Sequence, residues 1–195
     1  ETEIFSSDVV QRLGLESGQF IVVSAHREEN IDLKNHFDIL AESLNAVAET
    51  YQIPIIFSTH PRTKKRIQEK EIVFHELIKN VEPLGFFDYV KLQKEAFVVL
   101  SDSGTISEES AMMNFPAASI RTSTERPEAI DAGTIVLGGI SKESMLQSIP
   151  VARELHALGQ QHLPFEYDIK NTSTRVIRAI QSYTTIVNKV TWNKE

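Results

Sequence analysis

Three short, almost uninterrupted apolar runs constrain this chain more than any other feature. They are Phe20-Ile21-Val22-Val23-Ser24, Ile53-Pro54-Ile55-Ile56-Phe57 and Phe97-Val98-Val99-Leu100-Ser101. A run without polar alternation suits a strand buried on both faces, as in a parallel sheet covered by helices. Segments of helical period separate the runs. Asp32 to Thr50 sets Ile39, Leu40, Leu44, Val47 and Ala48 at helical spacing. Thr63 to about Leu77 is mixed and helical in pieces, and Phe86 to Glu95 offers a helical turn or two. Val81 to Leu84 reads as a weak strand, and Ala117 to Ile120 and Thr134 to Leu137 as two more short ones. Ser103-Gly104 opens a helix to about Met113, and Arg126-Pro127-Glu128 starts a short helix with Pro in its first turn. Ser141 to Leu158 is a helix with Ser141 as N-cap and Ser144 at the third position. Gly159 to Asp168 is linker-like, and Asn171 to Val190 is a last helix. The alternation predicts an α/β fold, a Rossmann-like parallel sheet with helices on both faces.

Composition narrows the function classes. The 195 residues fill one such domain, and 41% hydrophobic residues supply a core that needs no disulfide or structural metal. The chain has no cysteine, which removes thiolate nucleophiles and cysteine-ligated metal sites, and a cytoplasmic setting fits. No apolar run approaches the ~20 residues of a membrane span. A net charge of −7 argues against nucleic acid or a lipid surface as partner. The chain starts Glu1-Thr2-Glu3, without an initiator Met or a signal-peptide pattern, and reads as a piece of something longer.

Ligands of doubly wound sheets sit at the carboxyl ends of the strands. Polar residues concentrate there: Ser24 to Asn30 after the first run, Ser58 to Arg62 after the second, Ser101 to Thr105 with Glu108-Glu109 after the third, and Arg121 to Glu128 after Ile120. Ser103-Gly104-Thr105 at a helix start suits a phosphate, through unpaired N–H groups and two hydroxyls, unless Ser103 merely caps the helix. Glu109, about 1.5 turns into that helix, suits the two hydroxyls of a ribose, or is a solvated acid near a helix N-terminus. Arg27 suits an anion, and His26 a phosphate contact or proton handling. His60 has a similar case, although a His-Pro turn is often structural. Arg126 suits a phosphate or sugar, or pairs with Glu125 or Glu128. The basic run Arg62 to Arg66 reads as a solvated face, and His36, His75, His156 and His162 as mostly solvated. There is no G-x-G-x-x-G, P-loop or G-x-S-x-G, and no pair of His at i, i+4 suggests zinc.

Five segments together resemble the non-hydrolysing UDP-N-acetylglucosamine 2-epimerase family: Ser24–Asn30 (SAHREEN), Ser58–Pro61 (STHP), Glu82–Leu92 (EPLGFFDYVKL), Ser101–Ser110 (SDSGTISEES) and Thr124–Ala129 (TERPEA). The resemblance implies a GT-B arrangement, two Rossmann-like domains with the active site between them. Residues 1–195 then form a single C-terminal, nucleotide-binding domain, working with an N-terminal domain of the same polypeptide. The helix at 171–190 either crosses toward that domain or packs on its own sheet. The resemblance makes His26 a catalytic-site residue. It makes Arg27, Tyr89, Ser103, Gly104, Thr105, Glu109 and Arg126 UDP- and substrate-binding residues, with Tyr89 against the uracil, Ser103-Gly104 on the diphosphate and Glu109 on the ribose. Thr105 stands where the family commonly has a second Gly, and Leu84 where some members have a Gln that contacts the base. In some bacterial members the positions of Arg27 and His60 belong to an allosteric UDP-GlcNAc site. The family implies a UDP-sugar substrate, no cofactor, no metal and a homodimer at full length. The implied reaction inverts C2 of a UDP-HexNAc by eliminating UDP and adding it back, for capsule, O-antigen or other cell-surface polysaccharide synthesis. Thr105, the TSTERPE wording and the tail near Tyr183–Trp192 resemble the branch that makes UDP-N-acetyl-L-fucosamine, a UDP-2-acetamido-2,6-dideoxy-L-talose 2-epimerase. A GT-B glycosyltransferase donor domain, a hydrolysing epimerase and a non-catalytic binding domain are the rival readings.

Overall fold

The apolar runs become the centre of one sheet. In the computed structural model, which describes residues 2–33, 35–124, 126–159 and 161–194, six strands pair in parallel in the order β3-β2-β1-β4-β5-β6. They are β1 (Ile21–Ser24), β2 (Ile55–Ser58), β3 (Ile78–Val81), β4 (Val98–Ser101), β5 (Ala117–Ser119) and β6 (Val136–Leu137). Every residue of β4 is buried. Pro54 lies just before β2, where its missing N–H costs no ladder bond. The weak strand expected at Val81–Leu84 lies three residues earlier, as the edge strand β3, with Lys79 and Asn80 exposed.

The helices are α1 (Thr2–Phe5), α2 (Val9–Arg12), α3 (Glu28–Ile31), α4 (His36–Tyr51), α5 (Pro61–Glu69), α6 (Phe86–Glu95), α7 (Ile106–Met113), α8 (Pro127–Asp131), α9 (Lys142–Leu158) and α10 (Thr172–Val190). Right-handed crossovers that lead from β1 outward through β2 to β3 put α4 and α5 on one face. The return to β4 and the steps to β5 and β6 put α6, α7 and α8 on the other. α9 comes back to pack on α4. Alternate strand residues confirm the layers. Ile21, Val23, Ile55, Phe57, Val98 and Leu100 join one core with Leu40, Leu44, Met145 and Ile149 of α4 and α9. Val22, Ile56 and Val99, equally buried, point the other way. Ile39, expected on the apolar face of α4, stays 37% exposed, and Phe37 takes the core position instead. Ser141 caps α9 as expected, accepting from Ser144 N at 3.3 Å.

The chain divides into two compact units, residues 1–164 and 165–195. The sheet and α1 to α9 belong to the first. The second carries α10, in which no residue is buried, and Val176, Ile177, Ile180 and Tyr183 are each more than half exposed.

Candidate active site

Strand order reverses direction between β1 and β4, which makes their carboxyl ends the ligand crevice of such a sheet. Register aligns Ser58, Ser24, Ser101 and Ser119 in a row across four strands at that edge. The next residue after β4 is Asp102, fully buried. A buried carboxylate needs donors, and the turn after β1 supplies them. Asp102 accepts from His26 N at 3.2 and 3.0 Å, from Arg27 N at 2.9 Å and from Asn30 Nδ2 at 3.1 Å. Its Oδ1 also lies 3.3 Å from His26 Nδ1. Asn30, itself buried, donates to Ile120 O at 3.1 Å and so ties the same turn to β5. This carboxylate thus fixes where His26 and Arg27 stand. The His26 side chain is 48% exposed and lines an open cleft with Arg27, Glu28 and Glu29.

Arg27 reaches from that turn to the start of α7. A Cβ built on Gly104 would lie 3.7 Å from Arg27 Nη2, an ordinary contact, so the protein's own atoms do not require a glycine there. Ser103 and Gly104 precede the helix rather than open it, because α7 begins at Ile106 with Thr105 as N-cap. Ser103 does not cap through its side chain. Its Oγ lies 3.0 Å from Thr105 Oγ1, which donates to Glu109 Oε1 at 2.8 Å. The second Glu109 oxygen accepts from Nε2 of the fully buried Gln93 at 2.6 Å. Glu109 therefore sits one turn into α7, with both oxygens already oriented.

Tyr89 of α6 joins the same place. Burial pushes its pKa up to about 12, with the Glu109 and Asp102 carboxylates adding to the rise and Ser24 pulling against it. Arg126, at the N-cap of α8, turns its Nε to Glu108 Oε1 at 2.8 Å and so faces α7. The expected partners of Arg126 were Glu125 and Glu128, of which Glu125 lies outside the described residues. The structure thus brings His26, Arg27, Tyr89, Ser103, Gly104, Thr105, Glu109 and Arg126 around the carboxyl ends of β1, β4 and β5.

His60 follows β2. Its Nδ1 accepts from Arg62 N at 3.3 Å and caps α5. Its neighbour Arg62 is the residue that crosses to the turn after β1, pairing with Glu28 at 3.1 Å and with Asp32. Lys64, Lys65 and Arg66 each face a carboxylate, as a solvated ion-paired face would. His36 and His75 are less free than expected. His36 Nδ1 contacts Glu29 O at 2.7 Å, and His75 Nδ1 accepts from Leu77 N at 3.2 Å. Asp102, Asn30 and Gln93 are the site residues that reasoning from sequence missed.

A family model described as UDP-N-acetylglucosamine 2-epimerase matches residues 2–181. The chain belongs to the UDP-N-acetylglucosamine 2-epimerase family. The Methanocaldococcus jannaschii UDP-N-acetylglucosamine 2-epimerase is 35% identical over 136 residues, 68% of this chain and 37% of that protein. Among solved structures, the Rickettsia bellii UDP-N-acetylglucosamine 2-epimerase matches with TM-score 0.85 and 38% identity, covering 99% of this chain and 52% of that one. The M. jannaschii enzyme in complex with UDP-GlcNAc and UDP matches with TM-score 0.76 and 29% identity, over 93% of this chain and 50% of that one. This family member thus spans about half the length, or less, of the relatives it matches. Among its described residues no helix is long and apolar enough to cross a membrane.

Proposed function

We propose that this chain is the UDP-binding half of an enzyme that inverts C2 of a UDP-N-acetylhexosamine by eliminating UDP and adding it back. The observation that carries the reading is the meeting of Arg27 with the Ser103-Gly104 turn at the start of α7, on a loop that Asp102 holds in place. A cation beside the start of a helix suits a diphosphate.

In the forward step a base removes the C2 proton while the C1–O bond to the β-phosphate breaks. The electron pair forms the C1=C2 bond of a 2-acetamidoglycal, and UDP leaves with the negative charge. A proton then enters the opposite face of C2, and the UDP oxygen adds back to C1. Such a site must stabilise the charge that develops on the leaving diphosphate. Arg27, Arg126 and the α7 N–H groups serve that end, Glu109 takes the ribose hydroxyls, and the Tyr89 ring lies against the base. His26 faces the reacting sugar from the cleft. The groups that move the C2 proton come mostly from the other half of the full-length enzyme. The chain alone therefore binds UDP weakly and turns over no UDP-HexNAc. Measurable epimerisation by the 195-residue chain would refute that division of labour.

The decisive experiment is proton NMR of the full-length protein with UDP-GlcNAc and with UDP-N-acetyl-L-fucosamine in D2O. Deuterium entering C2 with the UDP linkage intact supports the reading and names the substrate, and with it the cell-surface sugar served. Release of free sugar points to a hydrolysing enzyme. Transfer to an acceptor without exchange at C2 points to a glycosyltransferase.

A further inference from the structure

Ser103, Thr105 and Glu109 form a chain of hydrogen bonds whose direction follows from counting protons. A carboxylate only accepts, so Thr105 commits its single hydroxyl proton to Glu109 at 2.8 Å. The proton in the 3.0 Å contact between Ser103 and Thr105 then belongs to Ser103. Gln93 Nε2 holds the other Glu109 oxygen at 2.6 Å, from a side chain that is fully buried and cannot swing away. Thr105 itself is exposed, so its side chain serves these contacts rather than the core.

We infer that Thr105 is a positioning residue that sets the preference of this site for a ribonucleotide. It clamps Glu109 against Gln93 in one orientation, leaving the remaining lone pairs of the carboxylate for the two ribose hydroxyls. By taking the Ser103 proton it also ties that orientation to the hydroxyl beside the diphosphate. Without the clamp, Glu109 must be ordered during binding, at a cost in conformational entropy. The inference rests on the nucleotide reading of the site, and its test separates the two.

The test is calorimetric titration of the 195-residue chain, and of its Thr105→Val and Thr105→Ser variants, with UDP and with 2′,3′-dideoxy-UDP. Val keeps the shape and removes the hydroxyl, and Ser restores it. The wild-type chain prefers UDP. Thr105→Val shrinks the ratio of the two affinities by about three- to tenfold, the scale of one ordinary hydrogen bond, while Thr105→Ser keeps it within about twofold. The unfolding midpoints of the three proteins stay together, because the side chain is exposed. An unchanged ratio in Thr105→Val, or an equal loss in Thr105→Ser, overturns the role and leaves the nucleotide site standing. A wild-type chain that binds no UDP at millimolar concentration overturns the nucleotide reading and this role with it.

Discussion

Replacing Asp102 by alanine tests how the site is built. The side chain is fully buried, and its carboxylate is the shared acceptor for His26 N, Arg27 N and Asn30 Nδ2. Alanine leaves those donors facing a void. A buried donor that loses its partner costs about 1–3 kcal/mol. Asn30 is buried and carries the full cost of one donor, although its bond to Ile120 O remains. His26 and Arg27 lie nearer the surface, where water replaces part of what is lost. The sum is about 3–5 kcal/mol. At roughly 2–4 °C per kcal/mol for a domain of this size, the melting temperature falls by about 6–20 °C. Asp102→Asn keeps one accepting oxygen but turns an N–H2 group toward donors, and it falls between wild type and alanine. Two measurements go with the melt. Amide exchange by NMR shows His26 and Arg27 losing protection while Val99, inside β4, keeps its own relative to global stability. UDP titration shows affinity falling about tenfold or more as Arg27 loses its place over Gly104. An alanine variant that melts within about 2 °C of wild type, or that keeps the His26 and Arg27 amides protected, shows that something other than this carboxylate holds the turn.

Tyr89 predicts an alkaline effect. Its phenol ionises near 12 in the folded chain, against 10.0 for a free phenol, so the folded state binds the proton more tightly. The stability linked to this group is complete below pH 10 and is lost as pH rises toward 12; urea midpoints of wild type and Tyr89→Phe at pH 9 and pH 11 should converge at the higher pH. Arg126→Ala should separate binding from stability. Its ion pair with Glu108 is partly exposed, 39% and 28% for the two side chains, and is worth about 0–1 kcal/mol, so the melt barely moves. UDP affinity falls about tenfold in a titration if the guanidinium holds the diphosphate.

The central strands were legible because burial on both faces writes an apolar run with no alternation, and β1, β2 and β4 fall within two residues of those runs. The edge strand β3 was not. One of its sides lacks a neighbour, Lys79 and Asn80 sit in its middle, and the apolar signal shrinks to its two ends. The four-residue helices α1 and α2 were invisible for another reason, since a single turn is too short to show a 3.6-residue period. Ile39 shows the limit of the helical pattern itself. Spacing admits both Phe37 and Ile39 next to Leu40, and only the position of the sheet decides which of them is buried.

The candidate site shows a different boundary. His26, Arg27, Ser103 and Glu109 could be singled out because strand ends can be counted along a sequence. Asp102 stands among them in SDSGT, yet its role depends on residues more than seventy positions away. Periodicity reports which face a side chain takes, not which loop it meets. A physical argument was still available. An acid one residue beyond a fully buried strand must find donors or neutralise, and the adjacent strand ends are the near sources. In a sheet ordered 3-2-1-4-5 both neighbours of β4 end at its level, β1 with Ser24 and β5 with Ser119 paired to Ser101, and the donors come from beyond β1. The turn that follows β1 is His26-Arg27, so the acid that looked like one more polar residue of a phosphate loop is the group that builds the cleft.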